Sequence, residues 1–388
     1  MHILVVFLFR NIISMHYIRV RQKLTNVCAH LRHTFLHLPL PQRVIYALLA
    51  LTLCSFLIFD LWQVLRSDIA PVTIGTAIEA TEATTAVDIP GNYIRRRLDG
   101  VYVDPKEANY YPLAVMIDND PNARPQTGLA RAQIVYEALA EGAITRFMAI
   151  FASATSTPDE IGPVRSARPY FVDWAQGYNA LYAHVGGSPE ALAELTTIAM
   201  HNINEFYQGK YFWRAKDRLP PHNVLGSAGE LYAYLENLNA YSSNYRSWQY
   251  KDEAPAEERG GQNIEINYNN PLFAVAWQYD KEQNQYRRFM ADSPHNDADG
   301  TPITTKNIIL LKVSSQVVDA QLRRHMQNIG DGKAWYCLDG TCDEGTWKKP
   351  SLTEREVIYN AQNEEVKFNT GTTWIEVVQY EGNITISE

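Results

Sequence analysis

Apolar positions fall into three regimes along the chain. Residues 44–59 are almost uninterruptedly apolar, and past Asp60 the run continues through Leu61, Trp62, Val64 and Leu65. A helix of that length covers the ~30 Å hydrocarbon core of a bilayer, so the pattern predicts a transmembrane helix over 44–65. Residues 66–92 are rich in Thr, Ala and Glu, with few large apolar side chains and no period, which predicts a flexible linker. From residue 93 onward, short apolar runs alternate with Gly, Pro and Asn punctuation. The continuous run 113–118 reads as a buried strand, and 133–140 with 144–151 as a hairpin around Glu141-Gly142. A brief helix is expected over 127–132, a helix over 168–176 ended by Gly177, and a buried strand over 180–185. Ser188 and Pro189 open another helix as N-cap and first residue. The capping box Ser227-Ala-Gly-Glu230 starts one that runs to about residue 238.

A polar stretch over 241–263 marks a domain boundary. After it strands dominate: 272–279, 285–290, 307–313, 334–338, 346–348 and 373–378. The expected fold class is an α/β N-terminal ectodomain over 93–245 plus a β-rich C-terminal domain over 262–388, preceded by a single transmembrane helix and a basic tail over 1–43.

Charge orients this arrangement. Residues 1–59 contain no acidic side chain but carry Arg10, Arg19, Arg21, Lys23, Arg32 and Arg43. Cationic flanks stay in the cytoplasm, so the localisation expected is a single-pass cell-membrane protein with its N-terminus inside and residues 66–388 extracytoplasmic. A cleaved signal peptide would start earlier and be shorter. Cys54 as a lipid acceptor would want small residues before it, and Leu51-Thr52-Leu53 does not supply them. Beyond residue 66 the net charge is about −14, which argues against nucleic acid as a partner. The partners expected are the membrane, through 44–65, and a cell-wall polymer or another envelope protein. No P-loop, dinucleotide fingerprint or zinc-protease motif is present, and no cofactor is expected. Cys337 and Cys342 flank an Asp-Gly turn and are expected to form a disulfide outside the membrane. With no His pair near them, no metal site is expected.

Several strings occur together in order: Ile117-Asp-Asn-Asp-Pro-Asn-Ala-Arg-Pro-Gln-Thr-Gly-Leu129, Tyr136-Glu-Ala-Leu-Ala-Glu-Gly-Ala-Ile-Thr-Arg146, Gly162-Pro-Val-Arg-Ser-Ala-Arg-Pro169, His184-Val-Gly-Gly-Ser-Pro189 and Pro221-His-Asn223. With Gly345-Thr-Trp-Lys348 and Phe368-Asn-Thr-Gly-Thr-Thr-Trp-Ile-Glu-Val377, the chain over roughly 95–385 resembles the YerB-like lipoprotein family, domain of unknown function 3048, in both its N- and C-terminal parts. The resemblance implies an envelope protein with two fused regions and no established activity. The lipid anchor that the resemblance implies is expected to be replaced here by the transmembrane segment 44–65.

Candidate chemistry centres on arginine. Arg124, Arg146, Arg165, Arg168, Arg214 and Arg218 lie in or beside Gly/Pro-rich loops. Guanidinium forks suit carboxylate or phosphate. An anion pocket is therefore expected from Arg124, Arg146, Arg165, Ser166 and Arg168, with Asn119 and Asn223 orienting the ligand. The competing reading pairs these arginines internally with Asp118, Asp120, Glu137, Glu141 and Asp173. Acid/base candidates are Asp118, Glu137, Glu141 and His222. On a strand, Glu137 and Glu141 stand ~13 Å apart, whereas glycosidase carboxylates need ~5–9.5 Å. Ser188 lacks the last glycine of a nucleophile elbow and reads as an N-cap. His184 reads as structural, and residues 295–300 as a solvated turn rather than a calcium loop. Three readings follow: a binding module for an anionic cell-wall ligand or partner, a cell-wall glycan hydrolase with paired carboxylates, or a structural assembly factor without a ligand.

Overall fold

The computed structural model describes residues 91–152, 158–380 and 382–388. The anchor expected over 44–65, the tail before it and the linker as far as residue 90 lie outside the described residues. Among the described residues no helix is long and apolar enough to cross a membrane.

Ten strands form the central sheet. The N-terminal region supplies β1 (Leu113–Asp118), β2 (Ile134–Leu139), β3 (Thr145–Phe151), β4 (Leu181–His184) and β5 (Asn202–Asn204). A second, mainly antiparallel sheet contains β6 (Asn263–Asn267), β7 (Val275–Asp280) and β8 (Gln285–Met290). The central sheet then takes β9 (Asn307–Val313), β10 (Gly330–Leu338), β11 (Thr341–Lys349), β12 (Val357–Tyr359) and β13 (Thr373–Gln379), and β14 (Asn383–Ser387) returns to the second sheet beside β6. The order across the central sheet is β12-β11-β10-β9-β13-β2-β3-β1-β4-β5. Strand β13 lies parallel to both β9 and β2, so the two sequence regions are hydrogen-bonded to each other.

The described residues form a mixed, strand-rich fold in which the α/β region and the β-rich region expected from the sequence meet. The polar stretch over 241–263 separates two sequence regions, but their strands share one sheet and the described residues form one compact unit. The physical reason is visible in composition. Every residue of β1, β2, β3, β9 and β13 is buried, and strands apolar on both faces must be covered on both.

One face carries helix α1 (Pro169–Gln176), which packs against α2 (Pro189–Leu195), while α3 (Ala228–Asn237) contacts β1. Trp174 of α1 stacks on Tyr136 of β2, with centroids 5.2 Å apart. The other face receives the second sheet, where Trp277 packs edge-on against Trp374 at 5.2 Å. Ser188 and Ser227 cap α2 and α3 as their sequences require, accepting from the Ala191 and Glu230 amides. The short helix expected over 127–132 is a single 3₁₀ turn, Leu129–Arg131, and Pro271–Phe273 is likewise a 3₁₀ turn, so the strand expected from 272 begins at Val275. Cys337 and Cys342 are disulfide-bonded across the β10–β11 hairpin.

Candidate functional site

The parallel strands end along one rim of the sheet. In open α/β sheets this rim is where ligands bind. Asp118 closes β1 and His184 precedes Gly186-Gly187 after β4. Between them runs the segment 163–168. It is held by Asp118 N–H to Pro163 O (2.8 Å), Arg165 N–H to Met116 O (2.8 Å), Val185 N–H to Arg165 O (3.0 Å) and Ala167 N–H to Gly186 O (3.0 Å). This backbone lacing carries Arg165, Ser166 and Arg168 to the rim. Gly186 has φ +58°, and the Phe206 ring lies where its Cβ would stand, so both conformation and space call for glycine.

Two of the acid/base candidates meet there. The His222 Nδ1–H donates to Asp118 Oδ2 at 2.8 Å, and His222 Nε2 lies 3.9 Å from Asp120 Oδ1. Arg165 Nε is 2.9 Å from the same Asp118 oxygen, close enough for an ion pair, yet it makes no directed hydrogen bond. Hydrogen bonds from Asn122 hold the Asp120 carboxyl below its ordinary range against the opposing effect of burial, with His222 and Arg165 adding to the lowering.

Beside this group, Glu141 binds two arginines. Its Oε2 accepts from Arg146 at 2.8 Å and its Oε1 pairs with Arg168. Arg146 also donates to Ser166 O at 3.2 Å, while its Nε–H has no acceptor among the described residues. Arg168 continues into a cavity of about 140 Å³, which it lines with Ser188, Glu190, Asp319, Arg323 and Arg324. Arg323 pairs with Asp319, and Arg324 donates to Gly142 O. A row of five arginines therefore follows the rim. Arg323 and Arg324 were not among the sequence candidates; adjacent arginines were the available signal, but only the 315–326 hairpin brings them to Arg168.

The remaining arginines do not join this row. Arg124 donates to Asn119 O and Leu272 O and lies over the Phe273 ring. Arg214 binds Glu205 and Asn223, and Arg218 binds the Ala123 and Pro125 carbonyls. Asn119 is fully buried, its amide donating to Thr145 Oγ1 at 2.7 Å and its oxygen accepting from Arg124 and Gln126. Asn223 is buried as the acceptor of Arg214. The single pocket expected from Arg124, Arg146, Arg165, Arg168, Asn119 and Asn223 is thus divided. Asn119 is turned into the protein, where buried amides need internal partners, half-buried Arg124 lies away from the row against Leu272 and Phe273, and Asn223 is spent on Arg214.

Glu137 lies behind the rim in the deepest polar cluster. Leu310, Glu376, Glu137, Phe147 and Ile117 form one row across β9, β13, β2, β3 and β1. The two glutamates are cross-strand neighbours facing the second sheet. Arg288 of β8 pairs with Glu137, and its guanidinium sits 4.7 Å from the Trp374 ring centroid. Glu376 accepts from Trp277 Nε1–H (2.9 Å) and Tyr268 O–H (2.7 Å). Burial, then the Glu137 charge, pushes the Glu376 carboxyl up to about 8. His295 accepts from Arg288 at Nδ1 (2.6 Å) and donates from Nε2 to Gln126 Oε1 (2.9 Å). Burial and Arg288 hold it well below the usual histidine range, so it is neutral. The cluster is a clamp between sheets with Glu137 and Arg288 both fully buried, so Glu137 does not face Glu141 across a cleft.

The turn at 295–300 is less solvated than its composition suggests. Asp297 is buried and accepts from the Leu129 and Ala130 amides. His184 is buried between Gly186 O and Asn202, a structural role. A second carboxyl pair was not anticipated: Asp173 of α1 and Glu194 of α2 are neighbours, and burial followed by Asp173 pushes Glu194 up to about 8. Among the described residues, no three His, Cys, Asp or Glu side chains are grouped to hold a metal ion.

The family profile "Protein of unknown function (DUF3048) N-terminal domain" matches residues 98–242, and the corresponding C-terminal profile matches 264–375. The chain belongs to the DUF3048 family. It is 33% identical over 298 residues to "Putative lipoprotein YerB" of Bacillus subtilis (strain 168), covering 76% of this chain and 88% of that protein. It is also similar to the crystal structure of YerB protein from Bacillus subtilis, with a TM-score of 0.68 at 31% identity, covering 76% of this chain and all of that one. The profile boundaries of this DUF3048 protein lie at the two ends of the polar stretch, although the central sheet runs through both parts.

Proposed function

We propose that this DUF3048 protein is a membrane-anchored recognition module of the cell envelope, binding an anionic group of a wall polymer or partner along its arginine rim. The relative's description as a lipoprotein supports an extracytoplasmic folded body. The apolar segment over 44–65 and its basic flank support a retained helix, N-terminus inside, as this chain's own anchor. The observation that carries the binding reading is the 140 Å³ cavity with Arg168, Arg323 and Arg324 in its wall. Arg146, which shares Glu141 with Arg168, and Arg165, which pairs with Asp118, extend the same cationic rim outside that cavity's wall. A carboxylate or phosphate matches those donors in charge and geometry. Hydrolysis by Glu137 and Glu141 is less favoured, because each is already held by arginine. The His222–Asp118 pair keeps a second reading open, in which His222 acts as acid/base on the bound group.

The test is co-sedimentation of the full chain, purified in mild detergent, with purified cell wall. The wild type is expected to pellet without releasing soluble fragments. Arg165→Ala and Arg323→Ala are expected to weaken pelleting about tenfold, the equivalent of ~1.4 kcal/mol, at unchanged thermal midpoint. Undiminished pelleting of both variants refutes the arginine rim, and release of soluble fragments that His222→Gln abolishes moves the assignment to the second reading.

A further inference from the structure

The second sheet has an outer face that the candidate site does not use. Along β6, Ile264 and Ile266 point inward while Glu265 and Asn267 are exposed. Register extends this face across four strands. Thr385 of β14 lies beside Glu265, Glu265 beside Ala276 of β7, and Ala276 beside Phe289 of β8. One step along, Asn383 lies beside Asn267. The small Ala276 between Glu265 and Phe289 leaves a floor lower than its two sides. The 267–271 loop and Asp292 stand at the trough's margin, and the open trough has a volume of about 660 Å³. That size is in the range of ligand-binding clefts, roughly 300–1,000 Å³.

The lining selects a ligand class. Amide, hydroxyl and carboxylate side chains offer both donors and acceptors. The side chains of Glu265, Asn383 and Thr385 line the trough without a hydrogen-bond partner among the described residues, so they are available to a ligand. Glu265 and Asp292 disfavour a polyanion, and the strongly acidic exterior reinforces this. Phe289 supplies one apolar ring next to the alanine floor, suited to the apolar face of a pyranose. An open trough across four strands accommodates an extended chain.

We infer that this trough binds a neutral, hydroxyl-rich saccharide chain. It is a site separate from the arginine rim and stands whether or not that rim binds an anion.

The test uses the full chain in detergent with two soluble probes, a β-1,4-linked N-acetylglucosamine tetrasaccharide and maltotetraose, followed by saturation-transfer NMR and titration. At least one probe is expected to bind saturably. Ala276→Leu, which raises the floor, and Phe289→Ala, which removes the ring, are each expected to weaken binding about tenfold or more. Both positions face outward, and a thermal midpoint within error of wild type confirms an intact fold; Glu265→Ala is a further variant should either lose stability. Arg165→Ala is expected to bind the saccharide as wild type does, which separates this site from the rim. Absence of saturable binding of both probes, or undiminished binding by the folded variants, overturns the inference.

Discussion

Replacing Arg288 by methionine tests the clamp between the two sheets. The guanidinium is fully buried, pairs with Glu137, donates to His295 and lies over Trp374. Methionine keeps much of the volume and removes the charge. The Glu137 carboxylate is then left beside Glu376 in the sheet row with no cation to offset it. Breaking a buried pair from one side costs about 3–5 kcal/mol. For a fold of this size each kcal/mol moves the thermal midpoint by roughly 2 °C, so a fall of about 6–10 °C is expected. Adding Glu137→Leu to Arg288→Met should recover much of the stability, since a well-packed apolar replacement of a buried pair is often near neutral. The assay is urea unfolding of wild type, both single variants and the double variant. A loss below about 1 kcal/mol for Arg288→Met, or a double variant no more stable than that single one, refutes the clamp.

The other predictions concern pH and redox state. Glu376 and Glu194 both have raised folded values of about 8. A carboxyl raised on folding contributes stability that is full below its ordinary value of 4.5 and is lost as pH rises to the folded value, so these two groups should make stability fall from about pH 4.5 to 8 and level off above, and Glu194→Gln should flatten that fall in a thermal-shift series. His295 is depressed by burial and by Arg288. The unfolded chain therefore binds the extra proton below its ordinary value of about 6.5, and stability should also fall as pH drops below that point, less so in His295→Gln. Reducing Cys337–Cys342, which closes a loop of sequence separation 5, should lower stability by about 2 kcal/mol on the chain-entropy estimate, read from urea midpoints with and without reductant.

Local structure was legible where a residue's neighbours in sequence are also its partners in space. The runs at 113–118 and 307–313 are strands with continuous apolar cores, Leu113–Ile117 and Ile308–Leu311, and every residue of both is buried. Ser188 and Ser227 are caps because the acceptor and the amide it meets are three residues apart, and the 337–342 disulfide spans a turn written into the residues between. Tertiary structure decided what those strands share. Nothing local in β13 says that it enters between β9 and β2, and that insertion alone turns two sequence regions into one sheet. It also sets Glu376 beside Glu137, converting a nominated acid/base residue into half of a buried clamp. Arginine was readable as a residue suited to anions, but its partner was not. Arg124 reaches Asn119 and the Leu272 carbonyl, whereas Arg168 reaches a cavity finished by Arg323 and Arg324. A long charged side chain satisfies itself with whatever the fold brings within hydrogen-bonding range, and that proximity is a property of chain crossings rather than of spacing along the chain.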